Sequence, residues 1–141
     1  MKLLLDTCTF LWLTIGSPEI SKTCAELFQD PANEVFLSAV SSWEISVKHA
    51  LGKLSLPEPP RAFIPSRRKV YHISALPLRE DEVLQAGNLP WLHADPFDRM
   101  LICQSIIRGM AILTPDPLIS QYPVRVIWLS DLPLILRRAH H

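Results

Sequence analysis

Four acidic residues of this chain occupy one kind of position, directly after an apolar run or in the first turn of a predicted helix. They are Asp6, Glu44, Asp98 and Asp116. If the apolar runs are strands of one parallel sheet, all four carboxylates lie at the edge where strands end and helices begin. Two carboxylates roughly 4 Å apart repel by about 4 kcal/mol at an effective dielectric constant of about 20, so a group of four needs a cation or must stay protonated. The pattern therefore predicts a metal site.

The ligand types indicate which metal this would be and what it would do. Carboxylate oxygens favour Mg²⁺ or Mn²⁺, whereas a zinc site usually includes His or Cys. His93 and Cys8 are close in sequence to the acids but are weaker candidates for ligands. A single His before a helix is more often a surface or supporting residue, and Cys8 is more often a buried thiol. Metal ions held by carboxylates suit phosphoryl chemistry, because they lower the pKa of an attacking water and stabilise charge on the scissile phosphate. No protein nucleophile is then required, and neither a Ser-His-Asp set nor a glycine-rich phosphate loop is evident.

Each acid also has a purely structural explanation. Ser41 with Glu44 three residues later fits a capping box. Asp95-Pro96 and Asp116-Pro117 each fit an N-cap followed by proline at the first helical position, and Asp98 would then favour the positive end of the helix dipole. Caps do not require every acid to share one edge of the sheet, so the joint pattern favours metal binding, and one residue can serve both purposes.

Alternating strands and helices must position these acids. Apolar runs predict strands at residues 2–5, 35–40, 70–76, 110–113 and 124–129, and helical periodicity predicts helices at 10–13, 20–28, 43–51, 79–86 and 98–107, with a short helix after Asp116. The proline-rich segment 57–65 is a linker or a broken helix. The order predicts an α/β fold with a central parallel sheet of about five strands, covered by helices on both faces.

Bulk properties restrict the class of protein. A length of 141 residues with 48% hydrophobic content fits one domain, which we place at residues 1–131, followed by a tail at 132–141 whose His-His end is either native or added. Equal numbers of basic and acidic residues, 14 of each, give no global argument for nucleic acid, although residues 59–79 hold a local basic stretch without an acid. No apolar run reaches the ~20 residues of a membrane span, and the three cysteines show no pairing pattern, so we expect a soluble cytoplasmic protein with reduced thiols.

Four motifs carry a family resemblance. They are LLLDT with FLW at residues 3–12, VFLSAVSSWEI at 35–45, HADPFDRMLI at 93–102 and LTPD at 113–116. Together, in this order, they make the chain resemble the PIN-domain ribonucleases, and in particular the VapC toxins of bacterial type II toxin–antitoxin pairs. The resemblance covers nearly the whole chain.

The resemblance implies a fold, an activity and partners. It implies a PIN fold, Mg²⁺- or Mn²⁺-dependent endonucleolytic cleavage of RNA, inhibition by a cognate antitoxin, and a homodimer without membrane association. By position, the catalytic and metal-binding quartet is Asp6, Glu44, Asp98 and Asp116, with Asp6 and Asp98 the foremost direct ligands. Antitoxin in a groove beside the site would suit Trp12, Trp43 and Lys48.

Residues around the quartet acquire supporting roles from the same resemblance. Candidates for substrate contact or ligand support are Thr7, Lys48, Asp95, Arg99 and Thr114. Thr114 matches a small polar residue beside the last acid. Asp95 is either a fifth acid near the mouth of the site or simply the N-cap of the helix. Arg99 would contact a phosphate or a neighbouring acid. The chain departs from many relatives at Cys8, where they carry His, and at Cys103 and Gln104, where they carry small residues; no acid is lost.

Three other classes compete with this interpretation. A haloacid-dehalogenase-like phosphatase would start from Asp6 but needs a second Asp where Cys8 stands. A receiver-type phospho-acceptor domain would want paired acids after the first strand. An inactive PIN-like module that binds a partner would use its acids as caps, and its site would be free to lose them.

Overall fold

The architecture is a five-stranded parallel sheet with helices on both faces. The computed structural model describes residues 1–20 and 22–127; the predicted tail at 132–141 and the end of the last predicted strand lie outside them. Strand order is β3-β2-β1-β4-β5. The strands are β1 (Lys2–Leu5), β2 (Glu34–Ser38), β3 (Ser74–Leu76), β4 (Ala111–Leu113) and β5 (Val126–Ile127).

In the part of the chain that the structure describes, six α-helices connect and cover the strands. They are α1 (Thr7–Thr14), α2 (Lys22–Gln29), α3 (Ala39–Ala50), α4 (Pro60–Val70), α5 (Glu80–Gln85) and α6 (Pro96–Arg108), with 3-10 turns at Ala86–Asn88 and Ile119–Gln121. Among these described elements, no helix has both the length and the apolar character to cross a membrane. The predicted fold class is confirmed.

The register of the central strands brings the strand ends together. Leu5 of β1 pairs with Leu37 of β2 on one side and with Leu113 of β4 on the other. The residues that follow these three leucines therefore lie side by side at the carboxyl edge of the sheet. One of them is Asp6, and another is Thr114.

The core lies on both faces of β1. Leu3 and Leu5 pack with Phe10 and Phe63 on one face, while Leu4 packs on the other with residues that include Leu101 of α6. Leu3, Leu4 and Leu5 are at most 1% exposed. Burial on both faces explains why the first strand is a continuous apolar run, and it fixes the strand that carries Asp6.

The expected boundaries are wrong at several places, among them the last strand, which begins at Val126 rather than at Val124. The proline-rich segment joins a helix, because α4 runs from Pro60 through Pro65 to Val70, and the predicted strand at 70–76 shortens to Ser74–Leu76. Burial of Phe63 and Ile64 in the core outweighs the cost of a proline inside the helix. The second strand ends at residue 38 rather than 40, because α3 already begins at Ala39.

Candidate metal centre at the carboxyl edge of the sheet

Asp6 is held rigidly at the start of α1. Its side chain is the N-cap, accepting a 2.7 Å hydrogen bond from Thr9 N at Oδ1, while Oδ2 accepts a 2.6 Å bond from the hydroxyl of Thr114. The same hydroxyl accepts from the backbone N–H of Asp116 at 3.1 Å. Burial raises the pKa of Asp6, although the hydrogen bonds from Thr114 and Thr9 oppose the shift. These hydrogen bonds therefore fix the orientation of the carboxylate, and burial shields it from water.

Glu44 reaches the same edge from α3. Its Oε1 accepts a 2.6 Å bond from the hydroxyl of Thr7, and its Oε2 is 2.5 Å from the ammonium of Lys48. That hydrogen bond raises the pKa of Lys48. The predicted capping box is wrong, because Ser38 is the N-cap of α3 and Ser41 lies inside the helix. Glu44 therefore does not take part in a helix cap. Its side chain is buried, with the residue only 6% exposed.

Asp98 and Asp116 meet at one imidazole. Nε2 of His93 lies 2.9 Å from Asp98 Oδ2 and 3.0 Å from Asp116 Oδ2. The backbone N–H of Asp95 donates to Nδ1 of the same ring at 3.3 Å. Because Nδ1 accepts, the network assigns the proton of a neutral ring to Nε2, which then donates toward the two carboxylates. His93 therefore has a larger part in the site than its sequence position indicated.

The electrostatics of this edge favour a bound cation. Burial raises the pKa of Asp98 to about 7, and the neighbouring carboxylates of Asp95 and Asp6 add to the effect. Ligand atoms of His93, Asp98 and Asp116 all lie within 4.8 Å of one another. This group consists of one imidazole nitrogen and two carboxylate oxygens. The two carboxylates, with the surplus of negative charge around them, suit a hard divalent cation such as Mg²⁺ or Mn²⁺. Of the four predicted acids, this group contains Asp98 and Asp116, whereas Asp6 and Glu44 are not part of it.

Asp95 has the structural role that its sequence predicted. It is the N-cap of α6, and its Oδ1 accepts a 3.0 Å bond from the backbone N–H of Asp98. Proline follows at the first helical position, and Gly109 ends the helix in the left-handed conformation with φ of 64°. The cap fixes the first turn of α6, which carries Asp98.

Arg99 lies in a different environment from the one expected. It is only 3% exposed, and its guanidinium donates at 2.8 Å to the carbonyl oxygens of both Pro90 and Ala86. It also donates to the hydroxyl of Tyr122 at 3.3 Å. These bonds direct the cation to the backbone of the segment before α6. The geometry makes Arg99 a residue that positions the His93 segment.

Tyr122 is a site residue that the sequence analysis missed. Its hydroxyl accepts from the backbone N–H groups of Leu92 at 3.2 Å and His93 at 2.9 Å, and donates to the carbonyl of Pro90 at 2.8 Å. The ring is 3% exposed. Partners about 30 residues away leave no local signal in the sequence. Tyr122 and Arg99 together hold the segment that presents His93.

Other predicted residues have mixed placements. Trp12 is half-buried, whereas Trp43 is 58% exposed and contacts Phe97 with ring centroids 4.9 Å apart. Burial raises the pKa of the Cys8 thiol to about 12, and the nearby acids add to the shift, so without a metal this thiol stays protonated at neutral pH.

The local basic stretch lies away from the acids. Arg67, Arg68 and Lys69 occupy the last turn of α4, which leads toward the beginning of β3. Because the sheet is parallel, that is the edge opposite to the four acids. Arg67 also pairs with Glu58 at 3.6 Å and packs over Phe63. The placement does not support these cations as phosphate contacts beside the acids.

Comparisons with known proteins agree on one family. The family model of the PIN domain matches residues 3–124. Ribonuclease VapC16 of Mycobacterium tuberculosis (strain ATCC 25618 / H37Rv) is 44% identical over 55 residues, which are 39% of this chain and 38% of that protein, so the match spans well under half of the curated relative.

Solved structures share the fold at low sequence identity. A crystal structure of VapBC2 from Rickettsia felis bound to a promoter DNA fragment matches with a TM-score of 0.66 and 14% identity, covering 90% of this chain and 98% of that one. A DNA-bound VapBC from Salmonella typhimurium matches with a TM-score of 0.66 and 17% identity, covering 90% and 97%.

Proposed function

Because the chain belongs to the PIN domain family, we propose that it is a metal-dependent endoribonuclease of the VapC type, which hydrolyses phosphodiester bonds of RNA. The observation that carries the proposal is the convergence of Asp6, Glu44, Asp98 and Asp116 on one edge of the sheet, with the pKa of Asp98 raised to about 7 by burial and neighbouring carboxylates. Such a centre requires a cation to be fully ionised at neutral pH. The similarity to Ribonuclease VapC16 supports ribonuclease chemistry.

The acids would hold Mg²⁺ or Mn²⁺, with Asp6 and Asp98 as the foremost ligands. When bound, the cation supplies Lewis acidity that activates water and offsets charge on the scissile phosphate. Thr114 orients Asp6 and the backbone of Asp116, and Thr7 orients Glu44. Lys48 offsets part of the negative charge at Glu44.

We also infer a protein partner. The solved neighbours carry the name VapBC, which denotes a pair, and this supports a cognate antitoxin that inhibits the enzyme. We expect the protein to form a homodimer and to be located in the cytoplasm. The groove residues suggested by the resemblance, Trp12, Trp43 and Lys48, are candidates for antitoxin contact.

The deciding experiment is cleavage of total cellular RNA by the purified protein. We expect discrete fragments with Mg²⁺ or Mn²⁺, none with EDTA, and none with Asp98→Asn. Asp81→Asn is the matched control, because this carboxylate is exposed on α5 and paired with Arg79 at 2.6 Å. Equal cleavage by Asp98→Asn and the wild type would contradict the assignment. Absence of cleavage by a folded, metal-loaded wild-type protein would favour a partner-binding module instead.

A further inference from the structure

A cleft at the amino edge of the sheet has no role in the proposed chemistry. Its volume is about 280 Å³, and its lining includes Lys2 of β1, Ala111 of β4 and Arg125, which directly precedes β5. Because these residues lie where parallel strands begin, the cleft is at the opposite edge from Asp6 and Asp116. We call it the amino-edge cleft, and it is separate from the candidate metal centre.

Two cations at the amino-edge cleft have no counterion in the part of the chain that the structure describes. Lys2 and Arg125 are exposed, and neither forms a salt bridge with a described residue. Glu34 is the register neighbour of Lys2 in β2, but no ion pair joins the two side chains. None of the described residues that line the cleft is acidic. The cleft therefore carries an uncompensated positive charge.

One feature of the cleft opposes this charge. Gly109, which ends α6, also lines the cleft, so the carbonyl end of that helix lies nearby. A helix end of this kind is equivalent to about half a negative charge. Two full positive charges on Lys2 and Arg125 outweigh it, and the cleft favours an anion.

A buried hydroxyl adds a hydrogen-bonding group. Ser105 of α6 lines the cleft and is only 1% exposed, and its Oγ has no hydrogen-bond partner among the described residues. A buried polar group without a partner costs free energy, and rotation about χ1 lets a serine hydroxyl turn toward a new one. A ligand in the cleft would supply that partner.

The remaining lining is largely apolar and includes Ile106, Met110 and Val124. Sites for small molecules are mostly apolar, contain a few polar groups and occupy about 300–1,000 Å³. The amino-edge cleft lies at the small end of this range. Its size fits a molecule no larger than a mononucleotide.

We propose that the amino-edge cleft binds a small phosphorylated molecule of the nucleoside monophosphate class. The phosphate pairs with Lys2 and Arg125, the apolar side chains pack against the body of the molecule, and the hydroxyl of Ser105 donates to the same ligand. Phosphate is favoured as the anion because it offers several acceptor oxygens to two cations, and charge-assisted hydrogen bonds are about twice as strong as neutral ones. The proposal does not depend on the ribonuclease function, since none of these residues belongs to the metal centre.

Isothermal titration calorimetry in EDTA tests the ligand class. The probes are the ribonucleoside 5′-monophosphates of adenine, cytosine, guanine and uracil, and EDTA prevents them from binding a metal at the acids. We expect at least one of them to bind about tenfold or more tightly than its parent nucleoside and than inorganic phosphate. The nucleoside tests the need for the phosphate, and inorganic phosphate tests the need for the apolar body.

Substitution of the two cations tests the location. Lys2→Gln and Arg125→Gln should each weaken binding of that nucleotide about tenfold, because each removes a charged donor to the phosphate. Lys69→Gln changes the net charge equally at an exposed residue in the last turn of α4, so it is the matched control and should bind like the wild type.

Ser105→Ala separates binding from structure. Because the hydroxyl has no partner among the described residues, its removal should leave the melting temperature of the protein alone unchanged or slightly higher. Binding of the nucleotide should nevertheless weaken severalfold. A lower melting temperature with unchanged binding would mean that the hydroxyl has a structural role and does not contact the ligand.

The outcomes also distinguish this proposal from the ribonuclease assignment. If no nucleotide binds folded wild-type protein at millimolar concentration, if nucleoside and nucleotide bind equally, or if both Gln variants bind normally, the proposal is overturned while RNA cleavage is unaffected. Binding that is lost in Asp98→Asn but kept in the Gln variants would place the nucleotide at the acids and overturn it as well. Nucleotide binding by a wild-type protein that does not cleave RNA would overturn only the ribonuclease proposal.

Discussion

The hydroxyl of Thr114 donates a 2.6 Å hydrogen bond to Oδ2 of Asp6, joining the ends of two neighbouring strands. It also accepts from the backbone of Asp116. One buried hydroxyl therefore sets the orientation of a carboxylate from β1 and of the turn that carries the last acid. The group is 0% exposed, so water cannot replace it without rearrangement.

Replacing Thr114 with Val should impair activity more than it impairs folding. The change keeps the shape but removes the donor to Asp6 and the acceptor for Asp116. We expect RNA cleavage to fall on the order of tenfold or more, and the free energy of unfolding to fall by about 1–3 kcal/mol, as for a buried group that loses its partner. Cleavage assays and urea denaturation measure the two effects. Thr114→Ser keeps the hydroxyl and should remain close to wild type; an inactive Ser variant would contradict the role of this hydrogen bond.

Removing the imidazole of His93 should destabilise the metal-free protein. Asp98 and Asp116 share its Nε2 at 2.9 and 3.0 Å, so His93→Leu leaves two adjacent carboxylates without a common donor. We expect a loss of about 1–3 kcal/mol in EDTA, and a larger rise in melting temperature on adding Mn²⁺ than the wild type shows. Thermal melts with and without metal make the comparison. Identical metal-induced shifts in the two proteins would contradict the expectation.

Replacing Tyr122 with Phe should loosen the segment before α6. Two backbone N–H groups, of Leu92 and His93, lose their acceptor. An unsatisfied donor costs about 1–3 kcal/mol, so we expect a fall in stability of about 2 kcal/mol or more. Hydrogen exchange should show faster exchange at residues 92 and 93, while the amides of β1 remain protected. Unchanged protection at these two amides would argue against the anchoring role.

The metal-free protein should lose stability as the pH rises from about 4 to about 7. The Asp98 pKa is raised from 3.8 to about 7 by burial and by the carboxylates of Asp95 and Asp6, so the folded state binds a proton that the unfolded chain has already released. Stability is then fully present below the unfolded pKa and is lost through the folded pKa, by up to about 4 kcal/mol. Urea denaturation in EDTA across this range measures the slope. Asp98→Asn should flatten it and stabilise the protein at pH 8; a slope unchanged in the variant would show that other groups cause it.

The placement of the acids could be predicted because it follows from strand polarity. Carboxyl ends of parallel strands share one edge, so Asp6 and the turn with Asp116 had to lie near each other. The cap at Asp95 is similarly local, since it needs only an acid, a proline and the apolar run of α6. Both predictions depend on neighbours in the chain.

Features that depend on contacts between distant residues could not be predicted from the sequence. Ser38 and Ser41 are equally good caps by type, and the helix begins after Ser38 because Val40 is buried in the cluster that includes Leu4 and Leu101. Pro65 predicts the end of a helix, yet α4 continues past this proline because the neighbouring Phe63 is buried in the core. Tyr122 leaves no local signal, because its partners are about 30 residues away. Tertiary contacts decided these cases.

The strand order has a consequence for synthesis of the protein. Asp6 leaves the ribosome before Thr114, which orients it and follows 108 positions later, when β4 can insert beside β1. In a nascent chain the centre therefore stays incomplete until β4 has emerged. Under the proposed activity, the chain cannot cleave RNA before that point of its synthesis.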